Sequence, residues 1–309
     1  LVQRGRRGEA ILLYGEFLQR NPAMDEPRTT LGLLYLQGGE YREAEELFAK
    51  QQSDTDKFYY AASIEAQRHR DQEALALYRT FSSTSPMYAQ AQLRIASIAV
   101  RADRDKEALV TVRKLLANSR LQQPHLSEAW ALLSAILLYQ DHYQQLLDET
   151  SPALQQPPVS PRLLFNRAVS FEHFHRYDDA ETMLKQQLQQ QPNDPEALNF
   201  LGYMLAEQGV RLDEAEQLIR RALNSEPDNG YYLDSLAWVH YQRGEFIAAI
   251  KVQKRAIKQV DSDAVMVEHL GDMQWKSGDH AEAKRSWSRA LALKHPHPGM
   301  IRQKIAQGL

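Results

Sequence analysis

Alanine returns through this chain at nearly constant intervals, at Ala10, Ala44, Ala74, Ala108, Ala180, Ala215, Ala249 and Ala283. The spacings are 34, 30, 34, 72, 35, 34 and 34 residues. The long interval holds one degenerate unit at about 127–160, with Leu146 where alanine is expected. A period of this size marks stacked supersecondary units, none of which can bury its apolar face alone. Other positions keep the register. Gly202-Tyr203…Gly209…Ala215…Ala222…Pro227 aligns with Gly271…Gly278…Ala283…Trp287…Ala290. Gly32…Tyr35…Gly39…Ala44…Phe48 and Ala168…Phe171…Ala180…Leu184…Pro192 follow the same offsets.

Each unit reads as a helical hairpin. The first helix carries an apolar or small residue followed by a small one, as in Leu31-Gly32, Ala61-Ala62, Ile95-Ala96, Leu133-Ser134, Leu201-Gly202, Leu236-Ala237 and Leu270-Gly271. A small side chain there lets two helices approach to the 8–10 Å that ridge-and-groove packing requires. Gly39, Gly209, Gly244 and Gly278 suit the left-handed residue that ends a helix, whereas His69 and Asp103 stand at that place in two units. An acid then opens the second helix near its positive end: Glu43, Glu73, Glu107, Asp179, Glu214 and Glu282. Pro22, Pro86, Pro192 and Pro227 close units, because proline cannot continue a helix. Units start near residues 25, 55, 89, 127, 161, 195, 230 and 264, and the unit at 195 carries one extra residue before Ala215. Residues 1–22, with Gly5 at a turn and then Ala10, Tyr14, Phe17 and Pro22, read as the second half of a further, truncated hairpin. Pro296–Leu309 reads as a capping helix with Ile301 and Ile305 inward. Pro152, Pro157, Pro158 and Pro161 cluster behind the degenerate unit. That places a weak joint between a sub-array at 1–160 and another at 161–295, with a cap at 296–309, because a repeat array packs only neighbour to neighbour.

These offsets are similar to those of the tetratricopeptide repeat. The resemblance covers almost the whole chain and implies an all-α solenoid of about eight helix-turn-helix repeats, wound as a right-handed superhelix. In that family the first helices line a concave groove. By register the groove of the second half would hold Phe165, Val169, Glu172, Asn199, Tyr203, Asp234, Trp238, Tyr241, Glu268, Asp272 and Trp275. In the first half it would hold Leu33, Tyr59, Leu93 and Tyr139. Aromatics interleaved with carboxylates suit a peptide partner, since aromatics anchor and polar groups set register. The competing reading is that several of these residues merely pack between repeats. Chaperone-binding members of the family clamp a C-terminal carboxylate with Lys, Asn and Arg. The matching positions here are Thr29, Tyr59, Leu93, Ala131, Phe165, Asn199, Asp234 and Glu268, with no lysine among them, so that clamp is not expected.

The remaining signals narrow the function by subtraction. With no cysteine, disulfides, thiolate metal sites and Cys nucleophiles are excluded. A formal charge of -3 gives no basic footprint for nucleic acid. Charge is uneven, with 7 basic against 12 acidic residues over 161–229 and 12 against 8 over 230–309. Phosphate-loop, dinucleotide, zinc-protease and nucleophile-elbow motifs are missing from the sequence. His173 and His175 lie two apart on a helix and point to different faces; His295-x-His297 reads as a solvated turn. The expectation is a protein-binding scaffold, with no enzymatic activity, cofactor or metal.

The stretch Leu198–Tyr203 and Arg211–Ala215, followed by Leu233–Val239, further resembles the C-terminal repeats of bacterial envelope lipoproteins that serve as adaptors for periplasmic C-terminal processing proteases. This resemblance implies a place on the periplasmic side of the outer membrane, through a lipid anchor upstream of residue 1. Its partners would be the protease, its protein substrates, or both. The alternative is an assembly scaffold for envelope machinery such as pili or lipopolysaccharide export. An enzymatic domain upstream of residue 1 also stays open.

Overall fold

The structure is a computed structural model and describes residues 6–309. Those residues form α-helices joined by short turns, with a 3₁₀ turn at Ser151–Gln155 and no β-strand among them. The chain divides into two compact units, Leu1–Ser160 and Pro161–Leu309. The first contains a lone helix α1 (Arg7–Arg20) and four hairpins. These are α2 (Asp25–Gln37) with α3 (Tyr41–Phe48), α4 (Asp54–Gln67) with α5 (Asp71–Tyr78), α6 (Tyr88–Arg101) with α7 (Asp105–Leu116), and α8 (His125–Tyr139) with α9 (Tyr143–Thr150). The second contains α10 (Pro161–His173) with α11 (Tyr177–Gln190), α12 (Pro195–Glu207) with α13 (Leu212–Ser225), α14 (Gly230–Gln242) with α15 (Phe246–Gln259), and α16 (Ala264–Lys276) with α17 (His280–Ala292). A last helix, α18 (Pro298–Gln307), follows. Gly5, the expected turn of the truncated hairpin, lies outside the described residues. In α1 only Ala10 is buried, while Leu12, Leu13 and Phe17 are exposed.

The small-residue register has a direct physical basis. The mid-hairpin alanines are buried essentially completely. A Cβ built on Gly271 would lie 2.5 Å from the Trp287 indole, and one on Gly202 2.6 Å from Ile219 Cγ1. Both are closer than real carbon contacts allow, so in these two hairpins the first helix lies against the bulky residue of the second with no room for a side chain at that position. Each of the eight hairpins closes with a backbone N–H reaching the carbonyl five residues back. Examples are Arg70 to Glu65 at 2.9 Å, Arg104 to Ala99 at 2.8 Å and Asp279 to Gln274 at 3.0 Å.

The left-handed residue of that closure is Gly39, Gly209, Gly244 or Gly278 in four hairpins and His69, Asp103, Asp141 or His175 in the others. The turn geometry is therefore kept even where glycine is not. The extra residue of the unit at 195 is taken up by a second left-handed residue, Arg211, with φ 47°. Side chains cap α12, α14 and α16: Asp194 Oδ1 accepts from Ala197 N at 2.9 Å, Asn229 Oδ1 from Tyr231 N at 3.0 Å and Asp263 Oδ1 from Val265 N at 2.9 Å. Each satisfies helix-end donors that would otherwise lack partners.

Arginines stitch consecutive hairpins within each unit. Arg68 forks onto Glu45 with two 3.0 Å bonds, and Arg113 onto Glu149 at 3.0 and 2.9 Å. In the second unit Arg211 reaches Glu181 at 2.5 Å, and Arg243 reaches Asp213 and Glu216. The Arg211 bond holds the Glu181 carboxyl below its ordinary pKa. Burial alone would raise Glu216, but Arg243 and Arg220 hold it low as well. These bridges contribute more at neutral pH and lose strength as acid protonates the carboxylates.

Candidate site on the inner face of the second unit

First helices α10, α12, α14 and α16 place the expected groove residues in register, but the surroundings divide them into two groups. Val169 and Glu172 on α10, Asn199 and Tyr203 on α12, and Trp238 and Tyr241 on α14 are half-buried. Phe165, Asp234, Glu268 and Asp272 are buried. Phe165 rests on Phe200, with ring centroids 5.4 Å apart, and Arg162 lies over its other side.

Asp234 is turned into the array. Its Oδ1 accepts from Gln253 Nε2 at 2.5 Å and lies 2.9 Å from His269 Nδ1. Burial disfavours a charged His269, yet Asp234 raises the imidazole pKa above its ordinary value. The Trp238 ring lies on that imidazole at 4.5 Å and on Tyr241 at 4.7 Å. Trp238 is thus held in one pose from below, while its Nε1 is buried and donates to no protein atom. Asn199 Oδ1 is likewise buried and accepts from none.

Glu172, Tyr203 and Glu207 form an acidic border. Burial pushes the Glu172 carboxyl above its usual range, and Glu207 adds to the shift. Burial drives the Tyr203 phenol far above its ordinary value, reinforced by Glu207, Asp234 and Glu172. Such shifts follow from withdrawing ionisable groups from water beside like charges. Glu207, one turn beyond Tyr203, lies outside the register positions first considered; its signal is the i, i+4 relation on the same helix face.

At the far end α18 occupies the surface that a further first helix would take. Lys304 Nζ donates to Glu268 Oε1 and to Asp272 Oδ2, both at 2.6 Å. Asp272 Oδ1 also accepts from Trp287 Nε1 at 2.8 Å. Trp275 stacks on His280 at 4.0 Å, and the backbone of Gly308 lies against its indole. The three expected groove residues of α16 are therefore engaged by the chain's own last segment. His295, expected in a solvated turn, is only 4% exposed. Its Nδ1 accepts from His297 N at 3.0 Å, and its Nε2 lies 2.7 Å from Glu268 Oε2, out of line for a hydrogen bond. Only the His295 side chain turns inward, against Glu268; Pro296, His297 and Pro298 stay exposed, so the solvated-turn expectation fails at that one residue. His173 and His175 are both exposed, and His175 Nδ1 lies 2.9 Å from Tyr177 Oη.

Among the described residues no three His, Asp or Glu side chains converge as a metal-binding group. No helix among them is long and apolar enough to cross a membrane. The inner face thus presents an aromatic platform with an acidic border.

Comparison with known proteins agrees on the repeat. The family described as Tetratricopeptide repeat matches residues 1–68 and 173–239. A TPR repeat-containing protein of Pseudomonas aeruginosa is 27% identical over 186 residues, covering 60% of this chain. This chain spans about a third of that relative's length, 31%. Among solved structures, a tetratricopeptide repeat protein from Parabacteroides merdae superposes with a TM-score of 0.60 at 18% identity. That match covers 70% of this chain and 85% of the other. Matched segments fall in both units, and the hairpins outside them close in the same way, so the fold is an all-helical array of tetratricopeptide-like hairpins.

Proposed function

We propose that this protein is a non-catalytic scaffold that holds segments of other proteins on the inner face of its second unit. The observation that carries this reading is the half-buried run of Tyr203, Trp238 and Tyr241, fixed from beneath and bordered by Glu172 and Glu207. Immobilised aromatics bind at low entropic cost, because little side-chain freedom remains to be lost. In finer terms, the protein is an adaptor on the periplasmic side of the bacterial outer membrane. There it brings a C-terminal processing protease together with its protein substrates. This assignment rests on the resemblance of the segments around Tyr203 and Trp238 to such adaptors.

The test is direct binding of a purified periplasmic C-terminal processing protease from the same cells. Trp238→Ala is expected to weaken that complex about thirtyfold, ~2 kcal/mol. Glu207→Lys, at an exposed position, is expected to weaken it without lowering the melting temperature. A protease that fails to bind, while pilus or lipopolysaccharide-export components are captured on the same face, supports the assembly-scaffold alternative. Binding untouched by both substitutions removes the inner face from the reading altogether.

A further inference from the structure

The first unit has an inner face of opposite character. A cavity of about 250 Å³ runs across α2, α4 and α6, lined by Leu36, Tyr59, Tyr60, Ser63, Arg94 and Arg101 among others. Its floor is apolar. Its walls carry hydroxyls, with Ser63 Oγ and Tyr78 Oη 3.0 Å apart, and no carboxylate lines it.

The two arginines differ in availability. Arg101, at the end of α6, is ion-paired with Asp71. Arg94, in the middle of α6, has an exposed side chain whose Nε makes only a long 3.5 Å contact with Tyr59 Oη. Glu128 on α8 acts on it electrostatically but makes no ion pair with it among the described residues; the ion-pair contact of Glu128 is with His125, at 3.8 Å. A guanidinium offers five donors in a planar fork matched to a carboxylate. Nearly all of that capacity is unused here, and the other charged group lining the cavity, Arg101, is already paired with Asp71.

We propose that this cavity is a second recognition site, separate from the acidic face of the other unit, for an extended peptide segment carrying an internal Asp or Glu side chain. The carboxylate pairs with Arg94, the Tyr59 hydroxyl donates to it, and a neighbouring aliphatic side chain rests on Leu36 and Ile98. One unpaired cation among neutral hydroxyls matches a single negative charge. A volume of about 250 Å³ holds a side chain and a short length of backbone. Arg94 belongs to the third of four hairpins in its unit, so a segment lying along the first helices runs past it in both directions. That placement suits an internal acidic residue better than a chain terminus.

The experiment uses immobilised twelve-residue peptides in matched sets. Internal Asp or Glu is compared with Asn or Gln at the same position, all with acetylated and amidated ends, beside a set bearing a free C-terminal carboxylate. The full chain is probed as wild type, Arg94→Gln, Arg94→Lys and Glu207→Lys. Acidic peptides are expected to bind at least fivefold better than their amide counterparts. That preference should vanish in Arg94→Gln, return in part in Arg94→Lys and persist in Glu207→Lys, which separates this site from the face of the second unit. No acidic preference, a preference that survives Arg94→Gln, or one confined to free C-termini overturns the proposal.

Discussion

The two units share one hairpin but finish it differently. In the second unit the second helices α11, α13 and α15 run 14 residues and α17 runs 13. In the first, α3, α5 and α9 run 8 residues and only α7 reaches 12. Local chemistry explains each early stop. Between Ala44 and Ala74 the repeat is 30 residues, so about one helical turn is simply missing behind Phe48. After Tyr78 comes Arg79-Thr80-Phe81-Ser82-Ser83-Thr84-Ser85-Pro86, where short hydroxyl side chains compete for the backbone. Phe81 turns back into the core instead. At the end of α9, Thr150 and Ser151 donate to the carbonyls of Leu146 and Leu147, and Pro152 then ends the α-helix. The inner half of each hairpin, where the small residue of the first helix meets alanine (Leu146 in the fourth) of the second, is preserved. The outer half is where the units diverge, so the repeat period reports close approach and not helix length.

The largest expected effect tests whether the long second helices anchor their unit. Trp287 is fully buried on α17, against Gly271 and bonded to Asp272. Trp287→Ala should cost ~3–5 kcal/mol, read as accelerated amide exchange through α16, α17 and α18. Exchange in α2 to α5 should stay as it was, because a repeat array hands strain only to its neighbours. A uniform rise across the chain contradicts the comparison.

A smaller effect is expected without any mutation. Amides of α3, α5 and α9 should exchange at least tenfold faster than those of α11, α13 and α15, a difference of ~1.4 kcal/mol in local opening. Equal protection would mean that the missing turns cost nothing. Smallest of all is the left-handed turn residue. Asp103→Gly or Asp141→Gly in the first unit should stabilise by about 0.5–1 kcal/mol, since only glycine takes positive φ without a Cβ penalty. Gly244→Ala in the second should destabilise by a similar amount. A melting-temperature series on these three variants decides the sign.

The hairpins were legible because their determinants are local: small residues opposite large ones, an acid at the second helix start, a turn residue between. The first-turn acids Glu43, Glu73, Glu107, Asp179, Glu214 and Glu282 all stand where they were expected. The inner face was legible only by register, and register does not say which side chain turns inward. Asp234 is drawn in by Gln253 and His269, which lie 19 and 35 residues away. Glu268 and Asp272 are covered by Lys304, 36 and 32 residues on. Nothing near those carboxylates in the chain announces such partners. In the first unit the register picked out Leu33 and Tyr59, which line the cavity, and Leu93, which is buried beside the lining Arg94. A shift of one residue turns a helical side chain by about 100°, so the register passed Arg94 by a single position.

The buried alanines carry one more consequence. Each is almost wholly shut away from water in an array that packs neighbour to neighbour, so intolerance to change is concentrated in columns. A saturation survey of this chain would look like a comb, with sharp teeth near Ala44, Ala74, Ala108, Ala180, Ala215, Ala249 and Ala283 and permissive gaps between. Inherited variation would then accumulate in the gaps, where Arg94 and Glu207 lie, leaving the frame fixed while the exposed faces drift.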